Sequence, residues 1–160
     1  MAEKNRDTTA ITTGRNGARS LASDISTSTT WSSSGLDETH NEAVAGRRSK
    51  LYSRYTNPTV RQFETAIAEL EGAEDALAFG SGMGALASVV FALCSPGDHI
   101  VAQQQLYGGT IAFLNGPVRR MGINVTFVDA TIPGAFTSAA KTPRTMLVIA
   151  ETPANPALAL

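Results

Sequence analysis

The sequence predicts an α/β fold built on a parallel sheet. Apolar runs of strand length recur at 76–79, 99–102, 125–128 and 146–150. Stretches of helical spacing lie between them, and glycine and proline turns separate the two kinds of segment. Strands that alternate with helices are joined by crossovers rather than hairpins, and helices then cover the sheet on both faces.

Each element has a local reason. Asn57-Pro58 is an N-cap followed by proline at the first helical position. Val60, Phe63, Ile67 and Leu70 recur at helical spacing, and Gly72 ends that helix. Ala76-Leu77-Ala78-Phe79 reads as a buried strand and Gly82–Cys94 as an alanine-rich helix. Pro96-Gly97 turns the chain into a strand at His99–Ala102. Gly108–Met121 reads as a helix broken at Gly116-Pro117, because proline cannot continue the hydrogen-bond ladder. Val125–Val128 and Met146–Ala150 complete a set of four strands.

Residues 1–50 differ from the rest. They are polar, with a Ser/Thr-rich stretch from Ser20 to Gly35 and no sustained apolar period, so they cannot form a core. The expected organisation is an extended or disordered amino-terminal arm over 1–50, anchored at Ile25 and Trp31, followed by a folded domain over 51–160. At 160 residues the chain has the length of one ordinary domain. A net charge of −1 gives no reason to expect nucleic acid or an anionic membrane as partner. Ala85–Cys94, the longest apolar window, is too short to span a bilayer. The opening Met-Ala-Glu-Lys-Asn-Arg-Asp lacks an apolar core, so no signal peptide is expected. The one cysteine, Cys94, forms no internal disulfide and suits a reducing cytoplasm as a buried small side chain. His40 and His99 have no spaced metal-binding partner, and both read as structural or surface residues.

The chemistry concentrates in Gly80-Ser81-Gly82-Met83-Gly84-Ala85. A glycine-rich turn that opens a helix presents unpaired N–H groups and the positive end of a dipole, which together cradle phosphate. Gly80-x-Gly82-x-x-Ala85 also fits the dinucleotide fingerprint, so a Rossmann-type domain binding NAD is one alternative. That reading needs a carboxylate about twenty positions on to hold the ribose. The next strand ends instead in Gln103-Gln104-Gln105, which favours a monophosphate cofactor. Two further loops fall at strand carboxyl ends, where ligands of parallel sheets bind. Leu106-Tyr107-Gly108-Gly109-Thr110 offers a ring to stack on a flat heterocycle, or a phenol to move a proton. Glu151-Thr152-Pro153-Ala154-Asn155-Pro156 offers an amide between two prolines. Upstream, Tyr52-Ser53-Arg54-Tyr55 supplies a guanidinium suited to phosphate. Taken singly, these three are equally well a tyrosine at a sheet edge, a rigid turn and a solvated face.

In order along the chain, Tyr52-Ser53-Arg54-Tyr55-Thr56-Asn57-Pro58-Thr59, Ser81–Ala85, Gly97-Asp98-His99, Leu106–Thr110 and Glu151–Pro156 resemble the trans-sulfuration enzymes. This family of cysteine and methionine metabolism depends on pyridoxal 5'-phosphate (PLP). It includes cystathionine γ-synthase, the γ- and β-lyases, methionine γ-lyase and the homoserine-ester sulfhydrylases. The resemblance implies an amino-terminal arm plus part of the large PLP-dependent transferase domain, of aspartate aminotransferase type (fold type I). It implies that Ser81, Gly82 and Met83 bind the cofactor's phosphate, the last two through their amides. Tyr107 would stack on the pyridine ring and assist proton transfer, and Asn155 would hydrogen-bond the ring's phenolic oxygen. Tyr52 and Arg54 would serve the cofactor of a neighbouring subunit in a tetramer built from dimers. The implied reaction is γ-elimination or γ-replacement on sulfur amino acids or homoserine esters.

The chain departs from the family pattern in one respect. The chemistry needs a lysine that holds PLP covalently and an acid opposite the ring nitrogen. Lys4, Lys50 and Lys141 are its only lysines, and none lies in the Ser-x-Thr/His-Lys setting that the resemblance implies. The chain is therefore expected to be the amino-terminal portion of a longer enzyme, truncated before that lysine. An inert module without activity of its own is the other alternative. Gly109 stands where methionine γ-lyases resemble one another in having cysteine, which argues against methionine γ-lyase, and no single substrate is assigned.

Overall fold

The computed structural model describes residues 5–13, 24–46, 49, 51–155 and 158. Lys4, Ser20–Ser23, Lys50 and Pro156 lie outside the described residues. The chain divides into two compact units, Met1–Ala78 and Phe79–Leu160.

The first unit holds α1 (Arg6–Thr12), α2 (Leu36–Val44) and α3 (Pro58–Glu71). Asn57 caps α3 as its sequence predicts, with Oδ1 accepting from the amides of Thr59 (2.9 Å) and Val60 (3.3 Å). Gly72 ends it at φ 65°, a left-handed turn that a side chain would strain. The buried positions of α3 are Glu64 and Ala68, whereas Val60, Phe63 and Ile67 stay exposed. Glu64 accepts from Arg61 (3.1 Å) and from the amide of Ala78 (2.9 Å), and Arg61 reaches Asp75 at 2.7 Å.

Those side-chain ties explain one correction. Residues 76–79 form no strand, and Leu77 and Phe79 are exposed. A strand is defined by its ladder, and among the described residues no other segment pairs with this one. The amides of Ala76 and Ala78 turn instead to the carboxylates of Asp75 and Glu64.

The first fifty residues contain more structure than an extended arm. Asn5 caps α1, and Arg6 donates to the carbonyl of Leu70 on α3 (3.1 Å). The stretch 24–34 forms no helix or strand, and it pairs within its own unit: Thr30 bridges Tyr52 antiparallel, and Ser53 donates to Thr29 (2.8 Å). Asn57 Nδ2 holds the carbonyl of Ser26 (3.1 Å), and Ser26 in turn donates to Thr59 (2.8 Å). Of the two expected anchors, Trp31 is half-buried and Ile25 is exposed.

The second unit runs α4 (Gly82–Leu93), β1 (His99–Gln103), α5 (Gly108–Phe113), β2 (Asn124–Val128), α6 (Ala135–Ala139) and β3 (Thr145–Ile149). The break expected at Gly116-Pro117 is a π turn over Leu114–Val118. Proline's missing N–H is absorbed there by widening the helix rather than ending it. The sheet has the order β2-β1-β3 with both pairings parallel, so the α/β expectation holds with three strands rather than four. Central β1 is buried throughout, against Val90 of α4, Cys94 at that helix's C-cap, and Leu114 and Val118 of the π turn. Burial pushes the Cys94 thiol pKa up, as a packed and unreactive thiol requires. Cover on both faces fails at edge strand β3, where Met146 and Val148 are exposed.

His99 ties all three strands together. Its Nδ1 lies 2.8 Å from Thr145 Oγ1 on β3 and its Nε2 lies 2.8 Å from Thr126 Oγ1 on β2. The ring is buried with both nitrogens paired, which makes it a structural histidine.

Candidate functional site

Strand order places the site. The chain leaves β1 for β2 on one side and reaches β3 on the other, so the order reverses beside β1. Crevices at the carboxyl ends of strands flanking such a reversal are where parallel sheets bind ligands. The loops after β1 and β3 are those of Tyr107 and Asn155.

Side chains hold these two loops together. Buried Gln103, the last residue of β1, donates to the carbonyl of Glu151 (2.9 Å) and accepts from its amide (3.0 Å). The carboxylate of Glu151 accepts from the amide of Tyr107 through Oε2 (3.0 Å) and from that of Asn155 through Oε1 (2.9 Å). These two amides hold its carboxyl below the usual carboxylate range, because they favour the charged form. Neither role was read from the sequence. The available signal was a polar residue closing each apolar run, Gln103 after β1 and Glu151 just past β3.

The third loop joins through α4. Buried Thr110, on α5, donates its hydroxyl to Met83 Sδ at 3.8 Å. Ser81 is the N-cap of α4, its Oγ accepting from the amide of Gly84 (3.0 Å). The amide of Ala85 is taken by the carbonyl of Ser81 (3.0 Å). The amides of Gly82 and Met83 remain, and neither donates to any group among the described residues. Gly82 is exposed, and a Cβ built there would meet no atom within 4 Å beyond its own stretch of chain, so the helix start is open at Gly82. Two free N–H groups at the positive end of a twelve-residue helix fit a phosphate group.

Tyr107 is half-exposed, with its ring folded over Gly109. A Cβ on Gly109 would come within 2.5 Å of the ring's Cε1, so the lack of a side chain there sets the ring's position. Asn155 is exposed, and the Thr152–Pro153 peptide before it is cis.

Tyr52 and Arg54 belong to the first unit. The Arg54 guanidinium lies over the rings of Tyr52 (4.7 Å) and Tyr55 (5.7 Å). It borders an open cavity of about 370 Å³ lined also by Ser53, Asn57, Glu64 and Ala78. Among the described residues Arg54 makes no ion pair, which leaves its fork of donors available to an anion. Lys141 is exposed, and no described group of His, Cys, Asp and Glu is arranged to hold a metal.

The family model for Cys/Met metabolism PLP-dependent enzymes matches residues 7–160. The chain belongs to this family. It is 46% identical over 106 residues to an O-succinylhomoserine sulfhydrylase of Pseudomonas aeruginosa, a match that covers 66% of this chain and 26% of that protein. It is 36% identical over 160 residues to an L-methionine gamma-lyase of Fusobacterium nucleatum, covering 99% of this chain and 40% of that one. Among solved structures, metB of Corynebacterium glutamicum superposes with a TM-score of 0.84 at 32% identity, covering 97% of this chain and 39% of that one. The chain thus spans between about a quarter and two-fifths of the length of these relatives. Membership accounts for the order of the five motifs and for the missing ribose carboxylate after β1, since the family depends on PLP.

Proposed function

We propose that the protein carrying this chain catalyses PLP-dependent γ-elimination or γ-replacement on sulfur amino acids, cystathionine among them, or on homoserine esters. The observation that carries the cofactor assignment is the pair of open amides at Gly82 and Met83, at the start of a helix in a PLP-dependent family. In this reading those amides hold the cofactor's phosphate, and the Ser81 hydroxyl adds a donor while it caps the helix. Asn155 hydrogen-bonds the phenolic oxygen of the ring. Tyr107 lays its ring against the pyridine and uses its phenol to take or give a proton at the substrate. When bound, PLP supplies an electron sink for charge that develops on the substrate carbon.

Arg54 and Tyr52 serve the phosphate of a neighbouring subunit's cofactor, so the complete site belongs to a dimer, and two dimers form a homotetramer. Support for this part is the Arg54 guanidinium, which makes no ion pair among the described residues and borders an open cavity. The proposed compartment is the cytoplasm. No helix among the described residues is long and apolar enough to cross a membrane.

The experiment is cofactor titration of the purified protein, followed by assay for thiol release from a sulfur amino acid or thioether formation from a homoserine ester. A saturable visible band with PLP, and turnover that depends on it, is the expected result. Saturable NAD binding without a PLP band would replace this reading with the dinucleotide one.

A further inference from the structure

We infer that Glu151 is a positioning residue whose carboxylate, split between the amides of Tyr107 and Asn155, sets the separation of the two loops that face the cofactor. The inference rests on the PLP reading for its catalytic consequence but not for the clamp itself. Each carboxylate oxygen takes one amide, Oε2 from Tyr107 at 3.0 Å and Oε1 from Asn155 at 2.9 Å. The main chain of Glu151 is meanwhile fixed by the buried carboxamide of Gln103, which engages both its N–H and its carbonyl. One side chain on β1 therefore holds Glu151, and Glu151 holds both loops. Neither tie engages the phenol of Tyr107 or the side-chain amide of Asn155, so both groups stay available to a ligand.

Charge is part of the device. A carboxylate accepts through both oxygens, whereas a glutamine presents one acceptor and one donor, and a donor facing an amide N–H repels it. Hydrogen bonds to a charged acceptor are also about twice as strong as neutral ones. Glu151→Gln therefore keeps the shape and releases one loop. Glu151→Asp keeps the charge but, one methylene shorter, reaches at most one of the two amides.

The test uses the full chain labelled for NMR, first without PLP. In the wild type the amide signals of Tyr107 and Asn155 move together as pH falls, with one midpoint below the usual carboxylate range. In Glu151→Gln neither signal shows that step, and exchange protection at one or both amides drops by about tenfold or more. The amides of Ile100–Ala102 are unchanged in the same variant. PLP titration then shows weaker binding in Glu151→Gln than in wild type. In Glu151→Asp no more than one of the two amides keeps its titration step. Independent titration of the two amides in wild type, or full protection of both in Glu151→Gln and Glu151→Asp, overturns the clamp. Failure of wild type to bind PLP overturns the cofactor reading alone, because the amide data decide the clamp without cofactor.

Discussion

Ser81 separates the stability of α4 from the use proposed for its N-terminus. In Ser81→Ala the amide of Gly84 loses its acceptor at 3.0 Å, and loss of an N-cap costs about 1 kcal/mol. Ser81→Asp keeps an acceptor in the same place, since aspartate caps as well as serine. It also puts a negative charge at the positive end of the dipole, which stabilises by about 0.3–1 kcal/mol. For a phosphate at the neighbouring amides the sign reverses. Two unit charges about 4 Å apart at an effective dielectric near 20 repel by about 4 kcal/mol, roughly a thousandfold in affinity. The aspartate variant should therefore melt at or above the wild-type temperature yet bind PLP at least about a hundredfold more weakly. The alanine variant should melt lower and lose far less affinity. Thermal unfolding paired with PLP titration by absorbance gives both numbers on one sample. If Ser81→Asp binds PLP as tightly as wild type, no phosphate sits at this helix start and the reasoning fails.

Three other outcomes are expected. Tyr107→Phe should keep most of the PLP affinity and lose about 10²–10⁴-fold in turnover, as expected for a lost proton-transfer group; unchanged turnover would leave the tyrosine a structural role. His99→Phe should remove the hydrogen bonds that tie the ring to exposed Thr126 and half-buried Thr145, at about 0.5–1.5 kcal/mol each, lowering the denaturation midpoint without touching the site loops. The amide of Ser95 and the guanidinium of Arg144 depress the Asp98 pKa, so its stabilisation is full above the ordinary carboxylate range and is lost as pH falls through the lower folded value. Asp98→Asn should therefore flatten part of the acid limb of stability against pH, and an unchanged limb would remove Asp98 from that account.

The parts of the fold legible in the sequence are those fixed by short-range chemistry. Asn57-Pro58 and Gly72 set the two ends of α3 because capping and left-handed turns depend on neighbouring residues alone. Ser81 and the glycines after it place the start of α4 for the same reason. The runs of β1, β2 and β3 are visible because strands of a parallel sheet are rich in apolar residues, though only central β1 is buried throughout. Ala76–Phe79 has the same composition yet forms no strand, since a ladder depends on a partner that no local pattern supplies. Helices α1 and α2 are short and mostly polar, and α1 is held to α3 by polar ties such as Arg6 to Leu70, which composition does not reveal. The candidate site residues are legible in the order of the motifs, but the Gln103–Glu151 bridge is not. It joins positions 48 apart that meet only when β1 and β3 become neighbours.

The central claim is that the amides of Gly82 and Met83 receive the phosphate of PLP. Amide chemical shifts of the labelled protein, followed during titration with PLP and separately with inorganic phosphate, test it directly. The account predicts saturable shifts at Gly82 and Met83 with both ligands, and shifts at Tyr107 and Asn155 with PLP alone. Shifts that leave Gly82 and Met83 unmoved at PLP saturation would contradict it.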